Sequence, residues 1–163
     1  MNENQLDEYI NEAKRIEEDS LYSSKSHYNA AAGWQKVHFW AGIPNCILTA
    51  IAGLSAFEGA TVLAGTLAIL AASITASITF LNPEAKSSSH KNAATEYHSL
   101  RNRARIFINI TTKKDISLDE LSGIFDELAN QRENLNTISP QIPEKAFLKA
   151  RSGIESGEAK HKD

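Results

Sequence analysis

The stretch VHFWAGIPNCILTAIAGLSAFEGATVLAGTLAILAASITASITFL, from Val37 to Leu81, decides the fold. No Asp, Glu, Lys or Arg occurs in Val37 to Phe57 or in Ala60 to Leu81, and Glu58 is the one charge between these runs. As α-helices the runs reach roughly 31 to 33 Å, which matches a hydrocarbon core about 30 Å thick. Because the turn between them is so short, the pattern predicts an antiparallel transmembrane hairpin.

The alternative is a soluble helical hairpin in which the two runs form a buried core. Core helices of a soluble chain this small are usually amphipathic, because one side of each helix meets water. Neither run has a charged stripe on any side. Two tandem runs of more than about 18 apolar residues therefore favour the membrane hairpin, with helices at 37–57 and 60–81.

The residues before the hairpin are polar and acidic, with acids crowded into the first 19 positions. Small or apolar side chains recur there at intervals of three and four, which is typical of a helix with one seam for a partner. The seam residues are Leu6, Tyr9, Ala13, Ile16, Ser20, Leu21, Ser24, Tyr28 and Ala31. We predict a cytoplasmic N-terminal helix over residues 1–36. We expect no cleavable signal peptide, since this region is polar and the apolar run after it is too long.

Basic residues flank the hairpin only on the side of the two chain ends. They are Lys25, Lys36, Lys86, Lys91 and Arg101. Because positive charge is retained in the cytoplasm, this asymmetry predicts a multi-pass protein of the inner or plasma membrane with both termini cytoplasmic. Trp34, Phe39 and Trp40 fit an aromatic belt at the membrane surface.

Each run has one side of small residues when positions are spaced by 100°. Small residues let helices approach closely in lipid. We therefore predict that these sides pair the two helices and form an oligomer face. The predicted face comprises Gly42, Asn45, Thr49, Gly53, Gly65, Ala68, Ala72 and Ala76. Branched residues of the second run, among them Leu67, Ile74 and Ile78, are then expected to face lipid.

Thr66, Ser73 and Ser77 follow a separate flank of the second run. Two interpretations of these hydroxyls and of Asn45 are open. In one, the hydroxyls bond to carbonyls of their own helix and Asn45 bonds across the hairpin. In the other, the flank lines a subunit contact or the wall of an aqueous pore. Two helices cannot enclose a channel, so a conducting state requires several copies of the chain.

Residues 82–135 are predicted to form cytoplasmic helices. The first has Asn82 as its N-cap and Pro83 at its first position, and the capping box Ser117-Leu118-Asp119-Glu120 opens the next. The first helix has a seam formed by Ala93, Tyr97, Leu100, Ala104 and Phe107. After two prolines, residues 136–163 are predicted to form a short helix and a mobile tail. The fold class is thus an all-α membrane protein with a C-terminal cytoplasmic helical bundle.

The chain over roughly residues 10–135 resembles the SLATT domain, the SMODS and SLOG-associating two-transmembrane effector. The resemblance rests on the hairpin architecture and on the residues Pro83, His90, Tyr97, Leu100 and Arg101. It implies a pore-forming or membrane-disrupting effector of prokaryotic antiviral or conflict systems, often controlled by nucleotide second messengers made by a neighbouring protein. The partners it implies are the lipid bilayer, further copies of the chain, and a nucleotide-signalling or sensor protein.

Enzyme chemistry is not indicated, since the sequence has no phosphate-binding glycine loop, CxxC, HExxH or nucleophile elbow. His90 and His98 could share a helix face, but without a nearby acid or cysteine they make a weak metal site. We expect no catalytic residue, no metal, no cofactor and no nucleic-acid partner. Arg101, Arg103 and Arg105 could bind anionic headgroups or phosphates, or could form an ordinary solvated face.

Two functions are compatible with these patterns. The favoured one is an oligomeric membrane effector that a signal shifts toward a leaky state. The alternative is a constitutive membrane anchor or scaffold that recruits a cytoplasmic partner through its helices. The sequence alone leaves the stoichiometry and the trigger open.

Overall fold

In a computed structural model, residues 3–159 are described, and nearly all of them are helical without any strand. The helices are α1 (Glu3–Phe57), α2 (Thr61–Leu81), α3 (Pro83–Asn109), α4 (Leu118–Ile138) and α5 (Glu144–Glu155), with a short 3₁₀ turn at Thr111–Lys113. The predicted all-α fold with a long N-terminal helix and a two-helix hairpin is confirmed. Residues 1–2 of the predicted first helix and residues 160–163 of the predicted tail lie outside the described residues.

The chain divides into two compact units. Residues 31–88 form one unit, here called the hairpin unit. Residues 1–30 and 89–163 form the other, here called the bundle unit. Because α1 and α3 cross the divisions between these ranges, each contributes residues to both units.

The turn of the hairpin is a glycine-capped helix end. Gly59 has a positive φ of 76°. Its N–H donates to the carbonyl of Ala56 at 3.2 Å, and the N–H of Ala60 donates to that of Ser55 at 2.9 Å. This pair of bonds is the Schellman arrangement, in which a residue with φ > 0 lets the last carbonyls of a helix find donors. The chain reverses within three residues as a result.

Asn82 joins α2 to α3. It adopts the left-handed conformation, with φ 44° and ψ 58°, and its N–H donates to the carbonyl of Ile78 at 2.9 Å, which closes α2. Its Oδ1 accepts a bond from the N–H of Ala85 at 3.3 Å, which caps the start of α3. The predicted N-cap is confirmed, and Asn82 also ends the preceding helix.

The apolar surface of the hairpin unit is not covered by the rest of the chain. In each of α1 and α2, only 6% of the most apolar 18-residue window is buried. The exposed side chains include Trp40, Phe57, Val62 and Phe80. A soluble hairpin would have to bury these windows, because an apolar surface this large is unstable in water. Low burial thus argues against the soluble alternative.

The seam that closes the hairpin differs from the predicted one. The least exposed positions are Ala41, Gly42, Asn45, Leu48, Ala52 and Ser55 on α1 and Ala64, Leu67, Ala71, Ile74 and Ile78 on α2. Gly42 and Asn45 of the predicted small side of α1 do lie in this seam, but the small side of α2 does not. The expected pairing of the two small sides is therefore wrong for α2 within one chain, as is the expectation that Leu67, Ile74 and Ile78 face lipid. In a helix that is apolar all round, the wheel alone does not say which side meets the neighbour.

The core of the bundle unit follows the predicted seam of α3. Ala93, Tyr97, Leu100, Ala104 and Phe107 are all buried. The last four of these pack with Ala13 and Ile16 of α1 and with Leu121, Leu128 and Leu135 of α4. Helix α4 begins at the predicted capping box, where the Ser117 hydroxyl accepts a bond from the N–H of Glu120 at 3.2 Å. The prediction that Tyr28 lies in the α1 seam is wrong, because Tyr28 is exposed and the neighbouring His27 is buried instead.

Helix α5 packs against α1 within the bundle unit. Lys25 Nζ lies 2.5 Å from Glu158 Oε2, and the Asn29 side chain donates to the carbonyl of Ala146 at 3.3 Å. A Cβ placed on Gly153 would come within 2.8 Å of Lys25 Nζ, so a side chain at Gly153 would displace this pair. The carboxylate of Glu158 has a lowered pKa because it bonds to Lys25.

Candidate functional site

Most polar side chains of the hairpin unit bond within the chain, although Asn45 Oδ1 is buried without a hydrogen-bond partner among the described residues. Asn45 Nδ2 donates to Thr75 Oγ1 across the hairpin at 2.8 Å. Thr75 Oγ1 donates in turn to the carbonyl of Ala71 at 3.0 Å, and Thr49 Oγ1 donates to that of Asn45 at 2.9 Å. The Asn45 N–H bond therefore favours one register of the two helices, since an unpaired donor in hydrocarbon is costly.

The hydroxyl flank of α2 is exposed along its whole length. Thr66, Ser73 and Ser77 each donate to a carbonyl four residues earlier, at distances of 2.8, 2.8 and 2.9 Å. Such back-bonding satisfies the hydroxyl proton and leaves oxygen lone pairs directed outward. Ser73 and Ser77 also line an otherwise apolar groove of about 270 Å³ beside Val37 and Leu81. These bonds agree with the interpretation in which each hydroxyl bonds to a carbonyl of its own helix.

The predicted small-residue face is largely open in the single chain. Thr49, Gly53, Gly65, Ala68, Ala72 and Ala76 are exposed, and Gly42 and Asn45 are half-buried. A Cβ built on Gly42, Gly53 or Gly65 would meet no atom within 4 Å. At 100° per residue, the small residues of α2 lie about 120° from its seam with α1, and the hydroxyl flank lies about 120° away on the other side. Helix α2 thus has three chemically distinct sides.

Aromatic and basic side chains meet at the ends of the hairpin unit. The Lys86 ammonium lies 4.5 Å from the centre of the Trp34 ring, and the rings of Phe39 and Trp40 meet edge to face at 5.7 Å. A cation on an indole face is typical of the zone where a membrane surface meets water. Pro83, the first of the family-like residues, is buried at the start of α3.

A pair of histidines lies in the interior of the bundle unit. The Nδ1 atoms of His27 and His90 are 2.9 Å apart, and the side chains are 1% and 5% exposed. One Nδ1 must donate and the other must accept, so the pair is held together with one proton between the two atoms. Burial, with the nearby His90, lowers the pKa of His27 to about 4, and burial lowers the pKa of His90.

Tyr97 extends this polar core. Its ring stacks on that of His27 at 5.6 Å, and its hydroxyl donates to Asn136 Oδ1 at 2.8 Å. Burial raises the pKa of Tyr97, against the opposing effects of the nearby Ser139 hydroxyl and the charge of Arg132. Nearby, Ser24 Oγ donates to the carbonyl of Ala94 at 2.9 Å. The core therefore joins α1, α3 and α4 by hydrogen bonds of defined direction.

Two arginines of α3, Arg101 and Arg103, pair with acids of the bundle unit. Arg101 Nε lies 3.8 Å from Glu17 Oε1. Arg103 bonds to Gln131 at 2.6 Å and to Glu127 at 3.1 Å. A headgroup or phosphate would have to compete with these acids, so the structure favours the solvated-face interpretation of the basic cluster.

Among the predicted residues of the bundle unit, His90, Tyr97 and Leu100 come together in the core, whereas Arg101 lies at its edge. His98 is exposed, so the shared face proposed for it and the buried His90 is wrong. No group of three or more His, Cys, Asp or Glu that could hold a metal occurs within residues 3–159.

Sequence reasoning placed Ser24 in the α1 seam but missed His27 and Asn136. A signal for the first was present, because His90 lies three residues before Ala93 and so continues the α3 seam. A buried imidazole needs a polar partner. The α1 positions Ser20, Ser24 and His27 offer such partners at intervals of four and three.

Comparison with known proteins identifies the chain. Residues 10–162 match the family described as SMODS and SLOG-associating 2TM effector domain family 4, where 2TM denotes two transmembrane helices. No curated protein and no solved structure matches the chain. The match spans α2 and nearly all of α1, which hold the two apolar windows, and it includes the helices of the bundle unit. The protein is therefore a membrane-associated effector domain, and it belongs to the SMODS and SLOG-associating 2TM effector domain family 4.

Proposed function

We propose that several copies of this chain assemble in the inner or plasma membrane and, when triggered, permeabilise it as the effector of a prokaryotic antiviral or conflict system. The observation that carries the proposal is the hairpin unit itself, whose apolar windows are only 6% buried and whose small-residue face is largely exposed in the single chain. Family membership supports the effector role. The flanking lysines support cytoplasmic termini.

The geometry of the small-residue face supports assembly through it. Gly65, Ala68, Ala72 and Ala76 leave the backbone of α2 open to close approach by another helix. In lipid, association depends on such packing, because lipid tails are as apolar as the side chains. Since α1 covers a different side of α2, one hairpin can bind its own partner helix and a neighbouring hairpin at the same time.

A leaky state needs a surface that can hydrogen-bond to water, and the hydroxyl flank of α2 can provide it. The outward lone pairs of Thr66, Ser73 and Ser77 can accept bonds from water. Several copies that turn this flank toward a common axis would surround a polar lumen. The trigger, a nucleotide signal or a partner protein, must bind the open arrangement more tightly than the closed one.

The second candidate is a constitutive anchor or scaffold. It is favoured by the same hydroxyls, because all three are satisfied by their own helix and the groove beside two of them is mainly apolar. In that case the hairpin only holds the bundle unit at the membrane. The bundle unit would then recruit a cytoplasmic protein without any change in permeability.

Membrane potential and dye uptake distinguish the two functions. The chain is induced in bacteria alone and together with its genomic neighbours, beside an insertion-defective variant. We expect depolarisation and dye uptake when the neighbours and their stimulus are present. Uptake that never exceeds that of the insertion-defective variant would leave the scaffold as the function.

The assembly face is tested by substitution. Gly65→Leu and Ala72→Leu add bulk to the small-residue face, so we expect a smaller oligomer in mild detergent and reduced dye uptake. Ala50→Leu is the matched control, since Ala50 is also exposed but lies about 100° from the small side of α1. An oligomer of unchanged size in both face variants would contradict the assignment.

A further inference from the structure

A groove runs along α1 and α4 on the bundle unit. It consists of three adjoining hollows of about 270, 490 and 360 Å³, and the Arg132–Asp19 ion pair joins the two helices where the second hollow meets the third. The first and second hollows share Glu12 and Phe125, and the second and third share Arg132 and Asn136. From Gln5 to Ser23 on α1, the groove follows about 27 Å of helix. We refer to it as the α1–α4 groove.

The floor of the α1–α4 groove is apolar and aromatic. Tyr9 and Phe125 pack edge to face at 5.2 Å at one end, and Tyr22 and Phe147 lie 6.4 Å apart at the other. Ala129 lies between them and is half-buried, and Ile16 lies beneath it in the core. A floor of this kind suits the apolar stripe of a helix laid along it.

The rim of the groove is acidic. Its carboxylates are Glu8, Glu12, Glu18, Asp19 and Glu133. Its cation is Arg132, which is paired with Asp19, and Glu12 is paired with Arg15. Glu8, Glu18 and Glu133 form no ion pair with any cation in residues 3–159. The rim thus offers uncompensated negative charge along both helices, which attracts a basic partner.

One buried polar group of the groove has no partner. Ser20 lines the third hollow and is 1% exposed, and its hydroxyl makes no hydrogen bond within the described chain. Leaving a buried hydroxyl unpaired costs free energy that a bound donor or acceptor recovers. This hydroxyl is therefore an additional sign that the groove receives a ligand.

We propose that the α1–α4 groove binds a basic amphipathic helix of a partner protein. The helix would lay its apolar stripe on the Tyr9 to Phe147 floor and direct its lysines or arginines to the Glu8, Glu18 and Glu133 rim. An 18-residue helix is about 27 Å long, which matches the groove. This binding is independent of whether the hairpins form a leak, so either can fail without the other.

The test uses the full-length chain in phosphatidylcholine nanodiscs and a fluorescent 18-residue peptide of leucine and lysine with its leucines on one helix face. Binding is followed by fluorescence anisotropy, and the signal from empty nanodiscs is subtracted. We expect micromolar binding that weakens with salt. A peptide of the same composition with scrambled order, which has no apolar stripe, should bind at least about tenfold more weakly.

Variants distinguish the groove from general acidity. The triple variant E8Q/E18Q/E133Q should weaken peptide binding about tenfold, because it neutralises the unpaired rim. The control D7N/D115N/D126N removes three exposed acids that do not line the groove, and it should change binding by less than about twofold. Ala129→Trp fills the floor without changing charge and should abolish binding while helical content is retained.

Three results would overturn the proposal. They are equal affinity for the ordered and scrambled peptides, equal loss in the two triple variants, and no binding by the unmodified chain. If Ala129→Trp instead changes the oligomer size of a chain that binds no peptide, the groove is a contact between copies and the proposed partner is wrong.

Discussion

The hairpin unit and the bundle unit differ in which side chains they bury and which they expose. The hairpin unit exposes phenylalanine, leucine and isoleucine, and the Asn45 side chain donates to Thr75 across its two helices. The bundle unit buries Ser20, Ser24, Ser26, His27 and His90 and exposes a charged surface. Since α1 contributes to both units, helix formation alone does not distinguish them. The comparison shows that the surrounding solvent decides which face of a helix needs protein contacts.

The largest difference should appear when a buried leucine is truncated. Leu100→Ala removes a fully buried side chain from the core of the bundle unit, so we expect a loss of about 2 to 5 kcal/mol in the free energy of unfolding. Leu63→Ala removes an exposed leucine from the hairpin unit and should cost far less. Thermal unfolding in detergent, followed by circular dichroism, compares the two. Similar losses would mean that Leu63 is in fact packed.

For a matched pair of charge substitutions, we expect the larger effect in the hairpin unit and the smaller one in the bundle unit. Ile69 on α2 and Ile106 on α3 are 70% and 49% exposed. Ile69→Arg places a charge at membrane depth, at a cost of about 2.5 to 3.5 kcal/mol, so the membrane-inserted fraction should fall. Ile106→Arg meets water and should insert normally. Carbonate extraction followed by immunoblotting measures both, and equal extraction of the two variants would contradict the membrane assignment.

Acid should weaken the bundle unit through its histidine pair. The folded-state pKa of His27 is lowered to about 4, whereas the unfolded chain binds this proton near pH 6.5. Between these values the unfolded state holds more protons, so the free energy of unfolding falls as the pH falls, by at most about 3 kcal/mol for His27. The double variant H27Q/H90Q should show a shallower pH dependence of the melting temperature between about pH 7 and 4.5.

The control for this pH dependence is His98→Gln, because His98 is exposed on the same helix as His90. It should keep the dependence of the unmodified chain. If the double variant retains the full dependence as well, carboxylates and not the histidine pair are responsible for it.

The smallest expected effect concerns the helix cap of α4. Ser117→Ala removes the hydroxyl that accepts a bond from the Glu120 N–H, so it should lower the stability of the bundle unit by about 1 kcal/mol. Ser117→Asp preserves an acceptor and should restore most of the loss. Denaturant unfolding of the detergent-solubilised chain measures both, and an unchanged midpoint for Ser117→Ala would show that the cap is dispensable.

Local chemistry made several features predictable. Gly59 and Asn82 end helices because they accept positive φ, and Ser117 begins one because its hydroxyl replaces a missing backbone acceptor. The α3 seam was predictable because the bundle unit meets water, so apolar positions recur on one side. The relevant signals lie within a few residues of one another.

The pairing inside the hairpin was not predictable in the same way. Every side of α2 is compatible with lipid, so no periodic contrast marks the side that meets α1. The Asn45 to Thr75 bond and the half-buried Leu67, Ile74 and Ile78 identify it only in three dimensions. The roles of the small-residue face and of the hydroxyl flank between copies stay predictions.

By itself, the sequence determined that two apolar helices of bilayer length form a hairpin, because length and the absence of charge set the cost of placing a segment in water or lipid. It also determined the helix caps and the seam of α3. Only the tertiary structure decided that His27 pairs with His90, that the α1–α4 groove has an acidic rim, and which side of α2 packs on α1. These depend on residues far apart in the chain, whose side chains meet only when the helices are packed.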